Sequence, residues 1–84
     1  MSKKVMIVDD DREFSEELKE TLAMSGYEVA VVNDTSLVTD TVETEKPDVI
    51  LLDLKMPKKS GLRVAMELKE FFESSKIPII AMTG

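Results

Sequence analysis

Four short apolar runs alternate with helical patterns along this 84-residue chain, and the third run most constrains the fold. Val49-Ile50-Leu51-Leu52 contains no polar residue, within a strand reading from Asp48 to Asp53. Successive strand side chains point to opposite faces, so an unbroken apolar run suits a strand buried on both sides. The other strand readings are Lys4 to Val8, Glu28 to Val32 and Ile77 to Thr83, with Pro78 near a strand start where a missing donor is tolerated. Between the first two, Phe14, Leu18 and Leu22 recur at helical spacing among acids and Lys19, which predicts an amphipathic helix. Asp10 or Asp11 can cap its start and Gly26 can end it. A weaker helix follows Asn33-Asp34, with Leu37, Val38 and Val42 as its apolar face and Pro47 as its stop. Ser60-Gly61 introduces a third helix, with Val64, Ala65, Leu68, Phe71 and Phe72 inward. The order βαβαβαβ predicts an α/β fold with a parallel sheet.

Two of these strands end in acid. Asp9-Asp10-Asp11 follows the first, and Asp53 closes the third. With strand order 2-1-3-4, right-handed crossovers place the first helix on one face and the next two on the other. The switch point then lies between strands one and three, where open α/β sheets bind ligands beyond the carboxyl ends of the strands. Up to four carboxylates would meet there. Like charges that close repel one another unless a cation or a proton relieves them, so the pattern proposes a metal-dependent acidic site.

Composition narrows the classes. The chain has room for one domain. A net charge of −6 argues against an electrostatic grip on nucleic acid or anionic membrane. The absence of histidine and cysteine excludes a histidine phosphodonor, a Ser-His triad, thiolate chemistry and imidazole metal ligation. Lys3-Lys4 precede only four apolar residues before the aspartates, too few for a signal peptide, and no run is long enough to span a bilayer. A cytoplasmic protein is expected. The six methionines are expected to fill the core.

Val8-Asp9-Asp10, Pro47-Asp48, the stretch Asp53-Leu54-Lys55-Met56-Pro57-Lys58-Lys59-Ser60-Gly61, and Met82-Thr83-Gly84 together resemble the response-regulator receiver domains of two-component signalling. The resemblance runs over the entire chain and implies a flavodoxin-like parallel sheet, residues 1–84 forming one partial receiver domain. It implies a signalling domain whose only catalysis concerns its own phosphorylation and dephosphorylation. Asp53 would be the phosphoacceptor, served by a histidine kinase or phosphotransfer protein. Mg2+ would be held by Asp9, Asp10, Asp53 and the backbone carbonyl of Lys55. Thr83 would meet the acyl phosphate through its hydroxyl. Pro57 and Gly61 would shape the loop, Gly61 by adopting a backbone conformation closed to bulkier residues.

Each part alone has a plainer reading. Asp-Asp before a helix is usually a cap, and an acid after a strand is usually a turn residue. Their coincidence at neighbouring strand ends, with Met-Pro and glycine in place, favours the site. A phosphate-cradling Gly-x-x-x-x-Gly-Lys loop is absent, and the position two after Asp53 is Lys55 rather than a second aspartate. By the same resemblance, the chain lacks the last helix-strand-helix of a full receiver, including its strand-five lysine and aromatic residue. Apolar side chains of strands three and four are then expected to lie exposed. A homodimer through strand four or the uncovered sheet face is expected, so the alternative function is a receiver-derived self-association module without productive phosphotransfer.

Overall fold

The computed structural model describes residues 3–56, 61–71 and 76–82. Its elements are β1 (Lys4–Val8), α1 (Arg12–Met24), β2 (Glu28–Val32), a 3-10 turn (Thr35–Leu37), α2 (Val38–Glu45), β3 (Val49–Asp53), α3 (Gly61–Phe71) and β4 (Ile79–Met82). All strand pairs are parallel, as the alternation predicts, and the order is β2-β1-β3-β4, the order taken above for placing the switch point. The third strand begins one residue later than its sequence reading. The fourth begins at Ile79, just after Pro78, whose carbonyl accepts the Ile50 N–H at 3.0 Å.

Register explains the two faces. Met6 pairs with Ile50 and Ile50 with Ile79, and this row joins Val8, Val32 and Leu52 beneath Val38 and Val42 of α2 and Val64 and Leu68 of α3. That is the main core. On the other face α1 packs on β1 and β2, and Val5 and Ile7 are buried. Farther along that face cover thins: Val49 and Leu51 are half-buried, and Ile80, paired with Leu51, is 53% exposed. The apolar run of β3 is therefore fully buried on one face only, which corrects the two-sided burial its composition suggests. The exposure expected of strands three and four is present.

Local chemistry sets the helix ends. Asp11 caps α1, its Oδ1 accepting the Phe14 N–H at 3.0 Å, and Gly26 follows with φ of 93°. Within α1, Leu18 and Leu22 are half-buried and Phe14 is exposed, while the fully buried residue is Ser15. The helix is thus turned so that its first turn presents a hydroxyl to the sheet. Asp34 caps the 3-10 turn by accepting the Ser36 N–H at 2.9 Å. That tighter turn leaves Leu37 exposed while Val38 and Val42 face the core, so Leu37 does not belong to the apolar face read from the sequence. Lys46, left-handed at φ of 49°, closes α2 ahead of Pro47. Met6 and Met56 are buried, but Met24 and Met66 are exposed, so the methionines are not uniformly core residues. Pro57, Lys58, Lys59, Ser60, Phe72, Thr83 and Gly84 lie outside the described residues, as does the side chain of Phe71.

The amino rim of the sheet is tied by Lys4. Its N–H donates to Asp48 Oδ2 at 2.7 Å and its carbonyl accepts the Asp48 N–H at 2.8 Å. Its ammonium lies 3.4 Å from Glu45 and 3.7 Å from Glu28. The backbone bond and the backbone-to-carboxylate bond together hold the entry to β3 in register, leaving the opposite rim for chemistry.

Candidate metal centre

Because Val8 pairs with Leu52, Asp9, just past β1, and Asp53, the last residue of β3, come side by side at the carboxyl rim. Asp9, Asp10 and Asp53 each bring a carboxylate oxygen to within 4.8 Å of the others. Asp9 is only 5% exposed, Asp53 is half-buried and Asp10 is exposed. Backbone donors orient two of the three: the Asp11 N–H reaches Asp9 Oδ1 at 2.9 Å, and the Lys55 N–H reaches Asp53 Oδ1 at 3.0 Å. Asp11 itself is spent on capping α1.

Gly61 supports Asp53 from beneath. A Cβ at this position would strike the Asp53 carbonyl oxygen and approach Leu54 Cα to 2.5 Å and the Asp53 carbonyl carbon to 2.9 Å. The Gly61 N–H also donates to the Leu54 carbonyl at 3.3 Å. Its φ is not positive, so the expectation about backbone freedom is corrected: glycine is needed here because α3 starts against the main chain of β3.

Burial raises the pKa of Asp9 above its ordinary value, and the neighbouring charges of Asp53 and Asp10 push in the same direction, while the Asp11 N–H opposes them. The folded chain therefore holds this proton to higher pH than the unfolded chain does. Stability contributed by that proton is complete below the unfolded pKa of 3.8 and is lost as pH rises through the folded value. At neutral pH the ionised Asp9 carboxylate is thus less favourable in the folded chain than in the unfolded one. We expect Asp9→Asn to raise the denaturation midpoint in chelator-treated buffer at pH 7, with the difference from wild type shrinking toward acid pH. A lower midpoint for the variant at pH 7 would contradict this electrostatic account.

Sequence reading missed two residues at this rim. Asn33, directly after β2, donates from Nδ2 to the Asp9 carbonyl at 2.7 Å and to Ser15 Oγ at 3.0 Å. Ser15 Oγ in turn lies 2.7 Å from the Asp11 carbonyl. The available signal was positional: Asn33 shares the carboxyl rim with Asp9, and Ser15 interrupts the helix face that approaches it. Of the other sequence candidates, Lys55 contributes its backbone N–H, and Thr83 lies outside the described residues, although its predecessor Met82 pairs with Asp53.

Known proteins share this fold. The model of the response regulator receiver domain matches residues 5–84. The chain belongs to the response-regulator receiver family. The response regulator MprA of Mycobacterium bovis is 34% identical over all 84 residues. The alkaline phosphatase synthesis transcriptional regulatory protein PhoP of Bacillus subtilis is 36% identical over the same span. The chain spans 36% and 34% of those two relatives, about a third of their length. Among solved structures, the response regulator TrrA of Thermotoga maritima, in complex with Mg2+ and BeF, has a TM-score of 0.83 at 32% identity, covering 96% of this chain and 69% of that one. A CheY-like receiver domain from Methanospirillum hungatei reaches 0.88 at 26% identity, covering 100% of this chain and 66% of that one. The receiver is thus a domain of two-component signalling with a flavodoxin-like sheet. No helix among its described residues is long and apolar enough to cross a membrane.

Proposed function

We propose that this receiver accepts a phosphoryl group on Asp53 from a phosphohistidine of a histidine kinase or phosphotransfer protein. The observation that carries the reading is the meeting of Asp9, Asp10 and Asp53 within 4.8 Å at the switch point of the sheet. In the transfer, a carboxylate oxygen of Asp53 forms the new O–P bond as the P–N bond breaks, and the imidazole keeps the electron pair. The Lys55 N–H holds the carboxylate through Oδ1 and fixes its orientation for attack. Thr83, one residue beyond the strand partner of Asp53, is proposed to donate its hydroxyl to a phosphoryl oxygen.

The donor set fits Mg2+, a hard cation that takes oxygen ligands and keeps several waters. Asp9, Asp10, Asp53 and the Lys55 carbonyl are its proposed ligands, and the raised pKa of Asp9 supports a need for cationic relief. A cation held there supplies charge neutralisation for the incoming phosphoryl oxygens. The likeness to TrrA, described in complex with Mg2+ and BeF, supports the same reading. Adding beryllofluoride with Mg2+ to the labelled chain tests it. Amide shifts are expected to gather around Asp9, Asp53 and Lys55, and their absence would remove the reading.

One observation favours a second reading, self-association. The row Leu51–Ile80 on the α1 side of the sheet leaves an apolar side chain 53% exposed beside an edge strand of the described sheet. Sedimentation of the chain at micromolar concentration is then expected to show a concentration-dependent dimer. A monodisperse monomer would exclude it.

A further inference from the structure

We propose that Asn33 and Ser15 are positioning residues for the acidic pocket: together they hold the two carbonyls that bracket Asp10. The inference rests on the proposed Mg2+ site and goes beyond it to a pair of residues that touch no ligand themselves.

The geometry is a relay with one assignment of donors. The Asp9 carbonyl can only accept, so the Asn33 atom 2.7 Å away is the amide nitrogen. The second N–H of that amide points to Ser15 Oγ at 3.0 Å. Ser15 therefore accepts from Asn33 and spends its single proton on the Asp11 carbonyl at 2.7 Å, the shorter of its two contacts, the Arg12 carbonyl being 3.2 Å away. One continuous chain of bonds thus runs from the end of β2 to the carbonyls on either side of Asp10. The Asp9 N–H, on Val32 O at 3.1 Å, ties the same loop to the same strand.

Two features argue that this relay serves the pocket. Ser15 has no solvent exposure, in a helix whose own apolar residues remain partly or wholly exposed. A small apolar residue would fill its place without needing a partner. Asp10 is exposed, so its direction depends on the main chain that carries it. The relay fixes the Asp9–Asp10 and Asp11–Arg12 peptide groups, and the Asp11 N–H between them is held by Asp9 Oδ1. Together they limit the arc through which the Asp10 carboxylate can swing away from Asp9 and Asp53. Outer groups that orient a metal ligand in this way commonly change affinity about 10–100-fold when lost.

The test is Mg2+ titration of the full chain, followed by amide shifts well below the melting temperature, with denaturation measured in parallel. Ser15→Ala and Asn33→Asp are expected to weaken Mg2+ binding about tenfold. Asn33→Asp is the sharper arm, because it keeps the side-chain shape but sets an acceptor against the Asp9 carbonyl. Its added negative charge alone would tighten cation binding, whereas loss of the relay loosens it. Asn33→Ala, at a half-buried position, repeats the measurement without added charge. Val42→Ala, in the core on α2, is expected to lower stability and leave the affinity unchanged. Affinity equal to or tighter than wild type in both Ser15→Ala and Asn33→Asp would overturn the proposal and leave the relay a helix-capping feature. If the unaltered chain binds no Mg2+, the pocket reading itself fails. If it binds and only Asp53→Asn weakens it, the relay alone fails.

Discussion

Asp53→Asn is expected to abolish phosphoryl transfer to the chain while leaving it folded. Incubated with Mg2+ and acetyl phosphate, the unaltered chain should gain one phosphoryl group by intact mass, and the variant none. The asymmetry follows from what asparagine keeps and loses. Its side-chain oxygen can still accept the Lys55 N–H, so the turn after β3 survives. Its amide nitrogen carries no negative charge and is no nucleophile toward phosphorus. One of three mutually repelling carboxylates is also removed, so cation-free stability should not fall. Equal phosphorylation of variant and wild type would place the acceptor elsewhere. Failure of the wild type would leave self-association as the surviving reading.

Gly61→Ala should be far more damaging than Gly26→Ala. The carbon added at Gly61 meets main-chain atoms of Asp53 and Leu54, which cannot rotate aside as a side chain could. Either α3 lifts from β3 or the end of β3 moves, and both disturb the segment that carries Asp53. Overpacking of this kind typically costs about 1–3 kcal/mol, and rigid backbone neighbours favour the upper end. Gly26→Ala is the matched contrast. Nothing lies within 4 Å of its added carbon, and the strain comes only from its φ of 93°. That change should cost roughly 1 kcal/mol and leave Mg2+ binding untouched. Chemical denaturation of both variants, with Mg2+ titration, separates the two causes. Equal losses with unchanged Mg2+ affinity would mean that the contact with Asp53 has no bearing on the site.

The comparison of these glycines shows where sequence reading succeeds and where it stops. Alternating apolar runs predicted the parallel α/β sheet, because fold class depends on patterns many residues long. With the order 2-1-3-4, the strand-end acids were expected to meet as Asp9, Asp10 and Asp53 do. Gly26 was legible because a helix stop is a local event. Gly61 was legible as important but not in its reason, since close approach to Asp53 is a tertiary fact. Leu37 was misplaced because a 3-10 turn, set by the Asp34 cap, shifts the helical phase by part of a turn. Ser15 and Asn33 were invisible for a different reason. A serine in a helix and an asparagine after a strand are ordinary, and only their shared distance to Asp9 and Asp11 makes them a relay.

The Lys4–Asp48 tie and the acidic rim lie at opposite ends of the same seam, the pairing of β1 with β3. One end is latched by a backbone bond and a backbone-to-carboxylate bond, and the other gathers three carboxylates. The seam is therefore tied at the amino rim and crowded with like charge at the carboxyl rim. It also runs between the two central strands of the sheet. The three acidic side chains thus stand at the join between β1–α1–β2 and β3–α3–β4, where a change in their charge borders both halves.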